Sequence, residues 1–207
     1  MFKNFSFAAL AAAALFALMP AQATVLTYND GGMRWTNSES EQGYTTRTLA
    51  SGVTAGAIAN YNWCGPSCPY DGSTYYLSLA QNAGFSVASD TGAAFSLLGF
   101  DAAESFTNIS GGPTLVVTGY KVDGGTVTQS ISLDGINDGI GGAADFQKFT
   151  LSGFTNLSSA RIASASDWNY FSLDNVEVAS ANVPEPASFA LLGLGLVGLT
   201  LARRKQQ

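Results

Sequence analysis

From Ala94 to Ala179 the chain alternates apolar and polar residues in short runs broken by turn residues. The cleanest run is Gly125 to Asp134, with Val127, Ile131 and Leu133 on one face and Thr126, Thr128, Ser130 and Ser132 on the other. A period of two marks a half-buried strand, because successive side chains point to opposite faces. This segment pairs naturally with Pro113–Val122 through Asp123-Gly124-Gly125, a turn suited to a tight hairpin. Further strands are predicted over 94–101, 145–151, 157–164 and 168–179, and no stretch inside 24–182 sustains a long helical period. Many short strands with regular turns predict an all-β fold, an antiparallel β-sandwich of jelly-roll type. In the last strand the apolar positions run 171, 173, then 176, 178, so the alternation slips by one at Asp174-Asn175. A β-bulge there would return both pairs to the core.

The two ends follow a different pattern. Residues 1–23 carry one positive charge at Lys3, an uncharged apolar run from Phe5 to Leu18, then Pro20 and Ala21-Gln22-Ala23. This order predicts a secretory signal peptide, with Ala21 and Ala23 fitting the small pockets of a signal peptidase and Thr24 as the mature N-terminus. The run is too short for a spanning helix, which needs roughly 20 apolar residues. At the other end Val183-Pro184-Glu185-Pro186 precedes an apolar run from Ala187 to Ala202 and the cluster Arg203-Arg204-Lys205. A helix over 187–202 would reach roughly 24 Å, short of a hydrocarbon core near 30 Å, and snorkelling arginines would bridge the difference. By the positive-inside rule the basic cluster stays cytoplasmic and residues 24–182 lie outside.

A Pro-Glu-Pro triplet, a glycine-containing apolar helix and a basic tail, in that order, resemble the PEP-CTERM sorting domain of bacteria that make exopolysaccharide. The resemblance covers residues 183–207. It implies processing by an exosortase-type enzyme, with Pro184, Glu185 and Pro186 as the recognition motif and the membrane helix as a temporary anchor. The protein is then expected at the cell surface or outside the cell.

Charge sharpens this picture. The portion 24–182 keeps five basic and fourteen acidic residues, a net of −9. Such a domain repels phosphates, which argues against nucleic acid as a partner. The chain contains no histidine, which excludes Ser-His-Asp and Cys-His hydrolases and removes the commonest transition-metal ligand. A carboxylate pair, as in glycosidases, is the remaining catalytic option, but acids scattered among turns do not define one.

Trp63-Cys64-Gly65-Pro66-Ser67-Cys68 departs from a thioredoxin-type motif by one inserted residue, and Pro69-Tyr70-Asp71-Gly72 breaks a helix where that motif would start one. A structural disulfide between Cys64 and Cys68 is the expected reading for an exported chain; redox activity, a metal and unpaired thiols are the alternatives. Gly193-Leu194-Gly195-Leu196-Val197-Gly198 matches a dinucleotide fingerprint in form, but it lies inside the apolar run with no ribose-binding acid after it. Asp134-Gly135-Ile136-Asn137-Asp138-Gly139, with Asp145 at the twelfth position, half resembles an EF-hand calcium loop, and Ile136 stands where an oxygen is required. A Gly/Asp turn between strands competes with calcium there. Phe171-Ser172-Leu173-Asp174-Asn175-Val176, after Phe149-Thr150-Leu151-Ser152-Gly153-Phe154, resembles the closing strands of PEP-CTERM ectodomains and of some carbohydrate-binding jelly rolls. That resemblance makes Asp174 a candidate ligand for structural calcium, against a solvated bulge aspartate; no other cofactor is expected. Trp35, Tyr61, Trp63, Tyr70, Tyr75, Tyr76, Trp168 and Tyr170 are numerous enough for a sugar-stacking platform, or for ordinary core and rim.

The expectation is a non-enzymatic surface or matrix protein associated with extracellular polysaccharide. A carbohydrate-binding module recognising one glycan is the alternative, which aromatics clustered on one exposed face would favour. A secreted carboxylate-dependent hydrolase comes third.

Overall fold

The computed structural model describes residues 23–49, 56–70, 72–73, 75–78, 84–105, 112–165 and 170–181. The described residues belong to one compact unit, Gln22–Ala181. The signal-peptide residues up to Gln22, the Pro184-Glu185-Pro186 motif, the apolar run 187–202 and Trp168 lie outside the described residues. Among those described, no helix is long and apolar enough to cross a membrane.

The strands are β1 (Ala23–Leu26), β2 (Arg34–Trp35), β3 (Ser38–Glu41), β4 (Tyr44–Thr48), β5 (Gly56–Ala59), β6 (Tyr75–Ser78), β7 (Gly84–Ser89), β8 (Phe95–Ser105), β9 (Thr114–Lys121), β10 (Thr126–Ser132), β11 (Gln147–Thr150), β12 (Leu157–Ser164) and β13 (Tyr170–Ser180). Their pairings are all antiparallel. One ladder runs β3-β4-β7-β12-β9-β10. The other runs β11-β8-β13-β6-β5-β2, with β1 beside the second half of β13. They touch through one register pair, Leu157 with Phe95. From β7 onward the chain crosses between ladders at nearly every connection, as a jelly-roll β-sandwich requires. The expected fold class is therefore the one observed.

The core lies between the two ladders. Phe85, Val87, Leu115, Val117, Ile162 and Ile131 come from the first, and Leu26, Ile58, Phe95, Leu97, Phe100, Phe171, Leu173, Val176 and Val178 from the second. The predicted hairpin forms with Thr128 opposite Thr118. Its turn closes by Lys121 N–H donating to Gly125 O at 2.8 Å, with Gly124 at φ 88°, a left-handed conformation that favours glycine.

The slip predicted at Asp174-Asn175 is real. Asp174 pairs with Asp101 but Glu177 with Gly99, so β13 carries one extra residue there, and Asn175 has φ 47°. Val176 and Val178 are thereby restored to the core. The next register pair, Val178 with Leu97, skips Leu98, so β8 carries a compensating extra residue. The two irregularities cancel, and the ladder continues in its original register to Ser180.

Among the described residues, seven strands precede residue 90 where the hydrophobic pattern announced none. β2 has two residues, β3 reads Ser-Glu-Ser-Glu, and β5 reads Gly-Ala-Ile-Ala, buried at every position. None offers an apolar-polar alternation, because the first two are edge-like and polar and the third is covered on both faces.

Candidate functional site

β5, β6 and the first half of β13 expose a second face, opposite the core, and a short covering segment packs on it. Asn60 caps the single turn α1 (Tyr61–Cys64), its side chain accepting from Asn62 N–H at 3.0 Å. Gly65, at φ 58°, ends the turn and a 3-10 turn over Gly65–Ser67 follows, with Pro66 in its first half. Cys64 and Cys68 are joined, as expected, with Cα atoms 5.4 Å apart. Cys68 is buried against Ala57, Ala59 and Tyr75, with Trp63, Cys64 and Phe146 packed beside them. The disulfide thus closes the covering segment on itself, with Cys68 packed on the sheet, and Cys64 ends a helical turn where a redox motif would start a helix.

This segment gathers aromatic rings. Trp35 of β2 stands edge-on to Trp63 with centroids 5.3 Å apart, and Tyr61 edge-on to Tyr70 at 5.5 Å. Trp35 is 53% exposed, while Tyr61, Trp63 and Tyr70 are half-buried. Of the other aromatics named above, Tyr75 is fully buried and meets Phe146 at 5.5 Å, so it belongs to the scaffold. Tyr170 is half-buried at the start of β13, and the Tyr76 side chain lies outside the described residues. Phe146 escaped the sequence reading, although its place immediately before β11 was a usable signal.

The loop 133–146, which crosses from β10 to β11, lies against the same segment. Tyr70 N–H donates to Ala144 O at 3.2 Å, and a Cβ on Gly141 would lie 3.0 Å from the Tyr61 hydroxyl. The loop is the Gly/Asp connection anticipated from sequence: Ile136 N–H donates to Asp134 Oδ1 at 2.8 Å, and the Ile136 side chain is exposed. Its acids meet a residue the sequence reading passed over. Glu104 of β8 is 1% exposed, and its Oε1 accepts from Gly135 N–H at 2.7 Å. Among the described residues, Glu104 Oε2 and Asp145 Oδ1 are buried with no hydrogen-bond partner. Burial foremost, then the nearby Asp134 and Asp145 charges, raises the Glu104 pKa against the lowering effect of the Gly135 bond. Burial likewise raises that of Asp145, helped by contact with the Asp138 carboxyl and by Asp134. An acid at a core-facing position of an alternating strand (Phe100, Ala102, Glu104) was the available clue. At 1% exposure Glu104 offers a substrate no access.

Asp174 is fully buried rather than solvated. Its Oδ2 accepts from Ser73 Oγ at 2.6 Å and its Oδ1 from Asn175 N–H at 2.7 Å. Asn175 Nδ2 in turn donates to Asp101 Oδ2 at 2.8 Å, and Asp101 Oδ1 is buried without a partner. These bonds fasten the bulge across β8 and β13. Ala23, expected beside the signal-cleavage point, is the first residue of β1 and pairs with Ala179. Among the described residues, no three carboxylates or thiols stand together at metal-ligand spacing.

Outside the β-domain, the tail carries the PEP-CTERM protein-sorting motif, whose family model matches residues 182–205. Such a motif indicates export and sorting by an exosortase, as the Pro-Glu-Pro, apolar and basic pieces implied. No curated protein matches the chain. Among solved structures, a family 29 carbohydrate-binding module, CBM29-2, complexed with mannohexaose is 12% identical, with 78% of this chain and 93% of that one covered and a TM-score of 0.44. The CBM22-1 xylan-binding domain from Paenibacillus barcinonensis Xyn10C is 12% identical, with 80% and 98% covered and a TM-score of 0.38. Likenesses this distant leave the fold resting on the chain's own strand pairing.

Proposed function

We propose that this protein is a non-enzymatic component of the cell surface or extracellular matrix, which associates with extracellular polysaccharide after export and tail processing. The observation that carries this reading is the ring cluster of Trp35, Tyr61, Trp63 and Tyr70, partly exposed and braced by the Cys64–Cys68 disulfide. Sugar rings bind through their apolar C–H faces, which sit on aromatic surface that stays solvated without ligand. A rigid platform binds with less ordering cost than a loose one. The absence of histidine and the burial of Glu104 support a role without catalysis. A calcium ion at Asp174 remains part of the proposal, since Asp101 Oδ1 faces the same bulge unpartnered.

Gel-retardation electrophoresis of the full chain in the host's own exopolysaccharide is the direct test. Trp35→Ala and Trp63→Ala should each lose most of the retardation while keeping the parent's circular dichroism spectrum. Undiminished retardation in the Trp35→Ala, Trp63→Ala double variant would overturn the assignment of the site. The same cluster also favours the second reading, a module for one glycan; a glycan panel in which a single structure binds far above the rest would select it. Intact-mass measurement from the native host addresses processing. The mature protein should begin at Thr24 and lack residues 187–207, and a dominant form keeping Arg203-Arg204-Lys205 would refute processing.

A further inference from the structure

We propose that Asp138 and Asp145, with Glu104 behind them and backbone carbonyls of the 134–145 loop around them, form a site for a hard divalent cation of the calcium class. Filling it would fix this loop against the aromatic cluster. Three features of the molecule converge here. The Asp138 and Asp145 carboxyls lie within hydrogen-bonding contact of each other, although neither carries a donor when ionised. Among the described residues two oxygens of this acidic group, Glu104 Oε2 and Asp145 Oδ1, are buried and unpartnered, and Glu104 is directed at the loop by its bond to Gly135 N–H. Buried carboxylate oxygens normally find a partner, and grouped like charges need a positive one.

The donor set selects the ion. It consists of carboxylates and amide carbonyls, all hard oxygens, with no thiolate or imidazole to favour zinc or copper. Calcium accepts six to eight oxygens in irregular arrangements, so two carboxylates suffice when carbonyls and water complete the shell. That matters because, among the described residues, no three carboxylates stand at ligand spacing. The backbone is shaped for such a role: Gly135, Gly141 and Gly142 take φ of 73°, 70° and 78°, turning successive peptide units within a short span. Gly139 N–H donates to Ala143 O at 2.9 Å, which folds the loop back on itself between Asp138 and Asp145.

The loop also touches the ring cluster through Ala144 O on Tyr70 N–H and through Gly141 beneath the Tyr61 hydroxyl. This coupling rests on the polysaccharide-binding reading, but cation binding itself does not. Two measurements separate them.

The first is calorimetric titration of the chelator-treated full chain with calcium chloride, without glycan, alongside melting curves in calcium and in chelator. One calcium per chain is expected, with a higher melting temperature; Asp145→Asn and Asp138→Asn should abolish both, and Glu104→Gln should weaken binding about tenfold. Asp145→Asn should melt no lower than the parent in chelator, which shows that the variant is folded. Asp174→Asn should keep the calcium response. No heat and no melting shift at millimolar calcium would overturn the proposal. So would a melting temperature that follows pH but not calcium, which would make Asp138 and Asp145 a proton-sharing pair. A response lost in Asp174→Asn but kept in Asp145→Asn would place the ion at the bulge and overturn this site.

The second is exopolysaccharide retardation with and without calcium. Calcium-dependent retardation lost in Asp145→Asn supports the coupling. Equal retardation in both conditions, with calcium bound in the first measurement, refutes the coupling alone.

Discussion

Inserting one alanine between Asn175 and Val176 tests whether the bulge holds the last strand in phase by absorbing one extra residue and no more. The insert would take the core position of Val176, so Val176 would turn outward, Glu177 toward the core and Val178 away. Val176 and Val178 are fully buried in the parent. Exposing two valines forfeits roughly 3 to 6 kcal/mol at about 1.5–3 kcal/mol each. Driving the Glu177 carboxylate into an apolar site costs several kcal/mol more, and it breaks the Lys148–Glu177 ion pair. The total rivals the whole stability of a domain, about 5–15 kcal/mol. Urea unfolding followed by tryptophan fluorescence should therefore show no cooperative transition, or a large fall in its midpoint. Asn175→Gly is the control, since glycine keeps φ near 47° and loses the bond to Asp101, for about 1 kcal/mol. Asn175→Val should lie between, as a branched residue in that conformation costs roughly 1–3 kcal/mol. An insertion variant as stable as Asn175→Gly would refute the phase argument.

Three further outcomes follow from other parts of the molecule. Replacing Cys64 and Cys68 by alanine should lower stability by roughly 2 kcal/mol, the chain-entropy value for so short a loop; the parent should show no insulin-reductase activity. Glu104 has a raised folded-state pKa, so its neutral form favours the fold: that contribution is complete below the ordinary value of 4.5 and is lost as pH rises through the folded value. In chelator, Glu104→Gln should accordingly match the parent at pH 4 and exceed it at pH 7, as read by melting temperature, and equal curves at both would contradict the burial argument. Glu41 accepts from Thr27 N–H at 2.9 Å, Tyr28 N–H at 2.8 Å and Thr27 Oγ1 at 3.1 Å, so Glu41→Ala should cost about 1–3 kcal/mol while Glu41→Gln costs less, measured by urea midpoint.

The second half of the fold was legible because its strands are half-buried. Val127, Ile131 and Leu133 face the core and the intervening Thr and Ser face solvent, and this contrast is what a period of two reports. Even the bulge could be read, since a slip in phase is visible wherever the phase is strong. The first half lacks that contrast. Ala57 and Ala59 face the covering segment while Ile58 faces the core, so β5 shows no polar side at all. The site was legible as an inventory and not as an arrangement. Trp35 and Trp63 are 28 residues apart, and their contact depends on β2 pairing with β5, which two residues of strand do not announce. Glu104 was hidden among apolar neighbours, and its meeting with the 134–145 loop is a product of the crossing between sheets.

β13 also has a mechanical meaning. It is flanked on one edge by β8 and on the other by β6 and then β1. A tether attached beyond Ser180 delivers its load along the axis of this strand. The ladder hydrogen bonds lie across that axis, so the load shears both flanking ladders at once instead of peeling one bond at a time. Bonds sheared together share the force, whereas an edge strand would unzip. A domain loaded from its C-terminal side would therefore be gripped by one of its most firmly clasped strands.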